Sequence, residues 1–231
     1  MKKAIILLFL VSFYNFGQES SFFYLGMANT VSNKLNSGFY NVSEIFTGKH
    51  FQLKNGTINF DGAYRFSGNM NSYNNHGYKY QFKSHLIGGN ITYKLWSEKR
   101  RFRPHISISL FTEFATNYNY GSLEKNYLIP ARPFNESFTS YSARFYQGTP
   151  IVANLFFGFS THLISSLYLS VSIGLGYDRL KTKYATWHEE YNVILEDKLK
   201  DKPIDFHSIY SYNFQIGLQY MFSFKKSAKP K

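Results

Sequence analysis

Three features of the 231-residue sequence predict an all-β protein, an eight-stranded antiparallel up-and-down transmembrane β-barrel. Apolar and polar residues alternate with period two over stretches of about 12 to 18 residues, and such stretches read as strands with two different faces. Short and long connections alternate between these stretches. The chain also carries 24 Phe, 20 Tyr and 2 Trp, more aromatic side chains than a soluble interior of this size needs.

Composition excludes several classes. Hydrophobic residues make up 44% of the chain, ordinary for a folded protein, so wholesale disorder is excluded. Mean hydropathy is −0.31, and no apolar run reaches the roughly 18 residues of a spanning helix. There is no Cys, which removes disulfide frameworks, Cys-ligated zinc, thiol catalysis and lipid-modified cysteine. Lys and Arg total 26 against 14 Asp and Glu, a formal charge of +12.

Residues 1–18 read as a cleaved signal peptide. Met1-Lys2-Lys3 is a basic start, Ala4 to Phe13 is an apolar run, and Gly17 and Gln18 mark a small-residue cleavage region. Residues 19–224 are expected to form the barrel, and the basic segment 225–231 a short tail. The eight strands are expected at about 21–30, 39–54, 57–66, 78–95, 102–118, 149–163, 167–180 and 207–224. Alternation is clearest in the last, where Tyr210, Tyr212, Phe214, Ile216, Leu218, Tyr220, Phe222 and Phe224 share one face and Ser211, Asn213, Gln215, Gly217 and Gln219 the other. Residues 102–114, 151–163, 167–178 and 57–66 repeat the pattern. The second strand is weaker, because Glu44 and Thr47 interrupt it. The fourth changes phase, and Gly88-Gly89 at the switch predicts a β-bulge. Asn55-Gly56 forms a hairpin turn; Ser97 to Arg101 and Ser165-Ser166 are short. Connections near 31–38, 67–77, 119–148 and 181–206 are longer, with 119–148 and 181–206 expected as extracellular loops. Short turns at one end and long loops at the other is the asymmetry of a membrane barrel.

The apolar face belongs outside. Eight strands leave an interior just wide enough for side chains, and faces as bulky as Tyr210 to Phe224 would overfill it, whereas Ser, Gly, Asn and Gln fit. Aromatics gather at strand ends and aliphatics at centres, as in Phe102 and Phe114 around Ile106, Ile108 and Leu110; interfacial girdles account for this placement. Twelve residues at about 3.4 Å each, tilted near 40°, span roughly 31 Å, enough for an apolar band of about 25 Å.

Gln215-Ile216-Gly217-Leu218-Gln219-Tyr220-Met221-Phe222 resembles the C-terminal assembly signal of bacterial outer-membrane barrels, in which a polar residue, a Gly and two aromatics recur at these spacings. In architecture the chain is similar to small OmpA/OmpX-type barrels. The resemblance implies the cell outer membrane as location and the barrel assembly machinery as a partner during biogenesis, with Gln215, Gly217, Tyr220 and Phe222 as the residues it reads. Nine residues follow Phe222 here, whereas the signal usually ends the chain.

Candidate chemistry is sparse. His105-Ile106-Ser107 with Glu113 resembles the His-x-Ser plus Glu set of outer-membrane lipid A deacylases. Yet Glu113 lies roughly 20 Å along the strand from Ser107, the pair sits at the short-turn end, and Ile108 stands where the resemblance implies Asn. These residues read better as lumen packing, and no enzyme is expected. Asp61, Arg65, Lys83, His85, Arg103 and Glu113, at or near inward positions, are expected to form an ion-pair network that plugs the lumen, since buried charges must pair; the sharper alternative is a gated pore. His188-Glu189-Glu190 and Glu196-Asp197 lack the spacing of a known metal site, so no metal or cofactor is expected. Aromatics with basic residues are a nucleic-acid signature, but export argues against that partner. Lys125, Arg132, Arg144, Lys181 and Lys183, in or beside the long loops, suit the phosphates of lipopolysaccharide. The expected role is structural or interactive at the cell surface, with a narrow porin or a transport or secretion component as the alternative, and a lipid-modifying enzyme less favoured.

Overall fold

A computed structural model describes residues 22–34, 38–69, 83–96, 100–117, 122–128, 140–164, 166–187 and 199–222. The strands are β1 (Phe22–Lys34), β2 (Gly38–Leu53), β3 (Gly56–Asn69), β4 (Lys83–Leu95), β5 (Phe102–Thr116), β6 (Ser122–Leu128), β7 (Ser140–Ile164), β8 (Leu167–Trp187) and β9 (Ile204–Phe222). Each pairs antiparallel with its neighbours in the order β5-β4-β3-β2-β1-β9-β8-β7, and β5 pairs back onto β7, so eight strands close a barrel. The ninth strand, β6, lies along the upper part of β7, from Ser122↔Phe145 to Leu128↔Ser140. Both described ends of the chain meet at β1–β9, where Phe23 faces Phe222. They share the rim with the short turns β2–β3, β4–β5 and β7–β8.

Period-two alternation becomes burial alternation. On β5, Arg103, His105, Ser109 and Phe111 are buried while Phe102, Ile106, Ile108, Leu110 and Phe114 are exposed. Leu110 is 60% exposed and Ser109 1%. On β9 the same holds for Ser211, Asn213 and Gln219 against Tyr210, Tyr212, Phe214, Ile216 and Leu218. The molecule is inside-out relative to a soluble globule: its exterior is apolar and its interior polar.

Four features depart from the sequence reading. The wall strands run beyond the apolar alternation, so the expected loops 119–148 and 181–206 contain β6, the start of β7, the end of β8 and the start of β9. Above a lipid band neither strand face must be apolar, so the ladder continues where the pattern stops. Second, β2 keeps perfect inward–outward order through its two interruptions: Glu44 is buried in the lumen, and Thr47, pointing out, donates from Oγ1 to the Tyr24 carbonyl at 2.9 Å. Third, Gly88 and Gly89 sit in regular register against Ala63 and Gly62. The β4–β5 irregularity falls instead between His85 and Leu86, which face Ala115 and Glu113 and leave Phe114 as the extra residue. Fourth, β4 therefore has one phase throughout, and the even-numbered aromatics at 78, 80 and 82 lie outside the described residues. The expected signal peptide, the expected C-terminal tail and His188-Glu189-Glu190 with Glu196-Asp197 also fall outside them.

Candidate functional site: the lumen

Inward positions of eight strands converge on a lumen that side chains fill in layers. Nearest the short turns, the Arg103 guanidinium donates to Thr57 Oγ1 and to the Trp96 carbonyl, the latter at 3.2 Å. One layer up, Lys94 Nζ donates to Gln219 Oε1 at 3.0 Å, joining β4 to β9 across the bore. His105 Nε2 lies 3.0 Å from Ser172 Oγ, joining β5 to β8, while Ser107 bonds Thr92 at 2.8 Å.

The middle layer is a chain of acids and donors. Arg65 reaches Glu44 Oε2 through Nε at 3.0 Å and through a terminal nitrogen at 2.7 Å, with both side chains buried. Asn90 Nδ2 donates to Glu44 Oε1 and Asp61 Oδ1, each at 2.6 Å. The Tyr24 hydroxyl donates to Asp61 Oδ2 at 2.9 Å. Opposite, Asn213 donates to Asn154 at 2.9 Å, which donates to Ser109 at 3.0 Å. Above lies an apolar cluster of Ala63, Leu86, Phe111 and Val152, with Phe46 against it; the Arg65 guanidinium stacks 3.8 Å over the Phe111 ring. Higher still, Glu113 accepts from Ser84, from the Tyr146 hydroxyl at 2.7 Å and from the Thr149 amide at 3.3 Å.

Asp61, Arg65, Arg103 and Glu113 thus point into the lumen, but they do not pair with one another. The partner of Arg65 is Glu44, which sequence reasoning treated as a break in a strand. Two candidates are corrected. Lys83 is exposed, and His85 belongs to the outer aromatic belt, its Nδ1 2.6 Å from the Tyr64 hydroxyl and its ring beside Phe66 and Phe114. The reason is the single phase of β4: Ser84 and Leu86 take the inward positions. Tyr24, Asn90, Lys94 and Gln219 were also missed. Their signal was parity alone, since each shares a face with the small polar residues of its strand.

The catalytic set suggested by resemblance is not assembled. His105 engages Ser172 rather than Ser107, and Glu113 is held by β4 and β7 far above. Among the described residues no group of three or more His, Asp and Glu is placed to hold a metal ion.

Outside, the belt is aliphatic at mid-height and aromatic at the rims. Phe102 stacks on Phe159 at 4.7 Å near the short turns, and Tyr177 meets Tyr210 at 5.6 Å towards the long connections. A polar bore inside an apolar belt with aromatic margins is the arrangement lipid requires of a strand-built wall. The chain is a transmembrane-type β-barrel.

No protein-family model matches this sequence, and no curated protein matches it. Among solved structures the barrel is similar to Neisserial surface protein A (11% identity, 87% of this chain and 97% of that chain, TM-score 0.45). It is also similar to the outer membrane protein AlkL (11%, 94% and 96%, TM-score 0.43) and to the N-terminal β-barrel domain of Pseudomonas aeruginosa OprF (10%, 86% and 97%, TM-score 0.37). The barrel is defined by its own strand pairing and burial.

Proposed function

We propose that this protein resides in the outer membrane of a Gram-negative envelope as a closed, non-enzymatic barrel that carries a surface interaction. The observation that carries this reading is the set of hydrogen bonds across the bore. Lys94–Gln219, His105–Ser172 and Tyr24–Asp61 join strands that are not neighbours in the wall, so a solute larger than a few waters would have to break them. The extended β7–β8 hairpin then stands above the membrane with Lys181, with Arg179 stacked on Phe206, and with Lys183, whose ammonium already donates to the Leu199 and Lys200 carbonyls. Polyanionic lipopolysaccharide suits such a surface. During biogenesis the barrel assembly machinery reads Tyr220 and Phe222, which face outward beside the β1–β9 closure.

Planar-bilayer recording of the refolded protein tests the closed lumen. The expected result is insertion without stable conductance steps, with insertion itself verified by heat-modifiable gel mobility. Stable steps would overturn it. One observation favours a second reading, a narrow transport protein. The β5–β7 ladder ends at Phe111↔Val152 and β6 replaces β5 only from Phe145 upward, so β7 has an intervening stretch paired on neither β5 nor β6. A lateral passage for small solutes would use that stretch, and its signature is conductance or solute uptake that rises when Glu113 is removed.

A further inference from the structure

We propose that the lower lumen is a binding site for a small monovalent anion of the size of chloride, held by Lys94, Gln219 and His105. A polar cavity of about 60 Å³ lies between the middle and lower layers, lined by these three residues and also by Glu44, Asp61 and Asn90. Its hydrogen-bond inventory is lopsided. The acids are satisfied: Glu44 accepts from Arg65 and Asn90, and Asp61 from Tyr24 and Asn90. The donors are not. Gln219 Nε2 and His105 Nδ1 have no hydrogen-bond partner within the protein, and each residue is 8% exposed.

The orientation of both groups is fixed by what their other ends do. Lys94 donates to Gln219 Oε1, which turns the amide so that Nε2, with two N–H bonds, is the end left over. His105 spends Nε2 on Ser172; when the serine hydroxyl donates there, Nδ1 carries the ring proton and is a second unspent donor. Lys94 and His105 face each other directly in the β4–β5 ladder, so the ammonium and the imidazole stand side by side. Arg103, buried two residues below His105 on the same face, adds a further positive charge. Buried donors without acceptors are costly, and a cavity of this volume has room for a chloride-sized ion or a few waters. Arg65 neutralises Glu44 and Lys94 offsets Asp61, so Arg103 leaves this part of the lumen with net positive charge; surplus donors there favour the anion over neutral water, because hydrogen bonds to a charged acceptor are the stronger.

Bromide is the probe. Crystals of the full-length refolded protein grown in sodium bromide are expected to show an anomalous peak within hydrogen-bonding reach of Gln219 Nε2 and Lys94 Nζ. In detergent, chloride is expected to raise the unfolding temperature saturably relative to gluconate at equal ionic strength and pH, since gluconate is too large for the chamber. Gln219→Glu replaces the unspent donor by a carboxylate that still accepts from Lys94 and brings negative charge into the chamber, so the variant should fold and its apparent chloride affinity should drop about tenfold or more. A map with only water in the chamber, equal unfolding temperatures in chloride and gluconate, or an undiminished chloride effect in Gln219→Glu each overturns the proposal. The bromide map uses the unmodified protein and decides the matter even if the variant does not fold.

Discussion

The Tyr146 hydroxyl donates to Glu113 Oε2 at 2.7 Å across the place where β5 and β7 have ceased to pair. Around it the backbone of β7 is irregular. Its register against β8 shifts on both sides of Gly148, whose φ is 140°, a conformation suited to glycine. Side-chain bonds from one carboxylate therefore do there what ladder bonds do elsewhere.

Replacing Glu113 by Ala should loosen this stretch more than the barrel. The Thr149 amide would lose its acceptor, at about 1–3 kcal/mol if left unsatisfied, and the buried Tyr146 hydroxyl would keep Thr149 Oγ1, at 2.5 Å, but lose its bond to the carboxylate. The check is hydrogen exchange in detergent micelles. Amides of 146–149 and of Ile151 should exchange faster in the variant, while those of β1, β2 and β9 stay protected. Uniform loss of protection would mean that Glu113 supports the whole wall.

The outward face should reject charge. Ile108→Arg and Val171→Arg place a guanidinium on exposed mid-strand positions, 59% and 39% exposed, at a cost of about 2–4 kcal/mol in lipid. Ser109→Ala and Ser172→Ala, on the buried face, should be milder, each losing about 0.5–1.5 kcal/mol of hydrogen bonding. Urea titration of protein folded into vesicles measures both pairs. A larger loss in the serine variants would mean that the faces are assigned the wrong way round.

Breaking the buried ion pair should cost more than removing it. Glu44→Ala leaves Arg65 as an uncompensated charge in the lumen, and such losses run to about 3–5 kcal/mol. Glu44→Leu combined with Arg65→Met replaces the pair by apolar groups of similar size beside Phe111 and Leu86, and should recover most of that loss. Equilibrium unfolding in detergent gives the cycle; equal stabilities of the single and double variants would show that the pair is uncoupled.

Tyr220→Ala and Phe222→Ala should impair insertion in cells more than refolding in vitro. Both side chains are only partly buried, at 48% and 41% exposure, so each truncation removes at most about 1.5–3 kcal/mol of apolar contact. Gly217→Val should join them for a different reason. A Cβ at Gly217 would stand 2.7 Å from Ser170 Oγ, so the added side chain crowds the lumenal wall as well as altering the proposed assembly segment. The measurement is the ratio of inserted to periplasmic protein, set beside refolding yield into detergent. Equal losses in both assays would reduce the two aromatics to ordinary lipid contacts.

The wall was legible because lipid imposes a pattern on sequence. Wherever the outer face must be apolar, as from Ile106 to Leu110 or from Leu169 to Leu175, period two is strict and strand positions follow from it. The buried side chains in the upper parts of β7 and β8, such as Phe145, Tyr146, Leu180 and Thr182, mix apolar and polar without a strict period, so nothing in their composition separates strand from loop. The lumen was only half legible for a related reason. Parity shows that Asp61, Arg65 and Arg103 point inward, but not which strands meet across the bore, so Glu44 and Gln219 had no visible partners. His85 was misplaced because the apolar residues preceding it suggested the opposite phase.

The closure between β1 and β9 governs the order in which this molecule can form. Phe23 pairs with Phe222, Leu25 with Tyr220 and Met27 with Leu218, contacts between opposite ends of the chain. Such pairings are slow because loop closure comes before their reward. Until the last strand arrives, a growing β1 and its successors present two open edges and a greasy face with no solvent suited to either, the condition in which strands recruit one another between molecules. A chain of this design must therefore be kept unfolded as a whole and completed in one cooperative event at the membrane. Loss of β9 alone would leave a sheet with nothing to close it, rather than a smaller barrel.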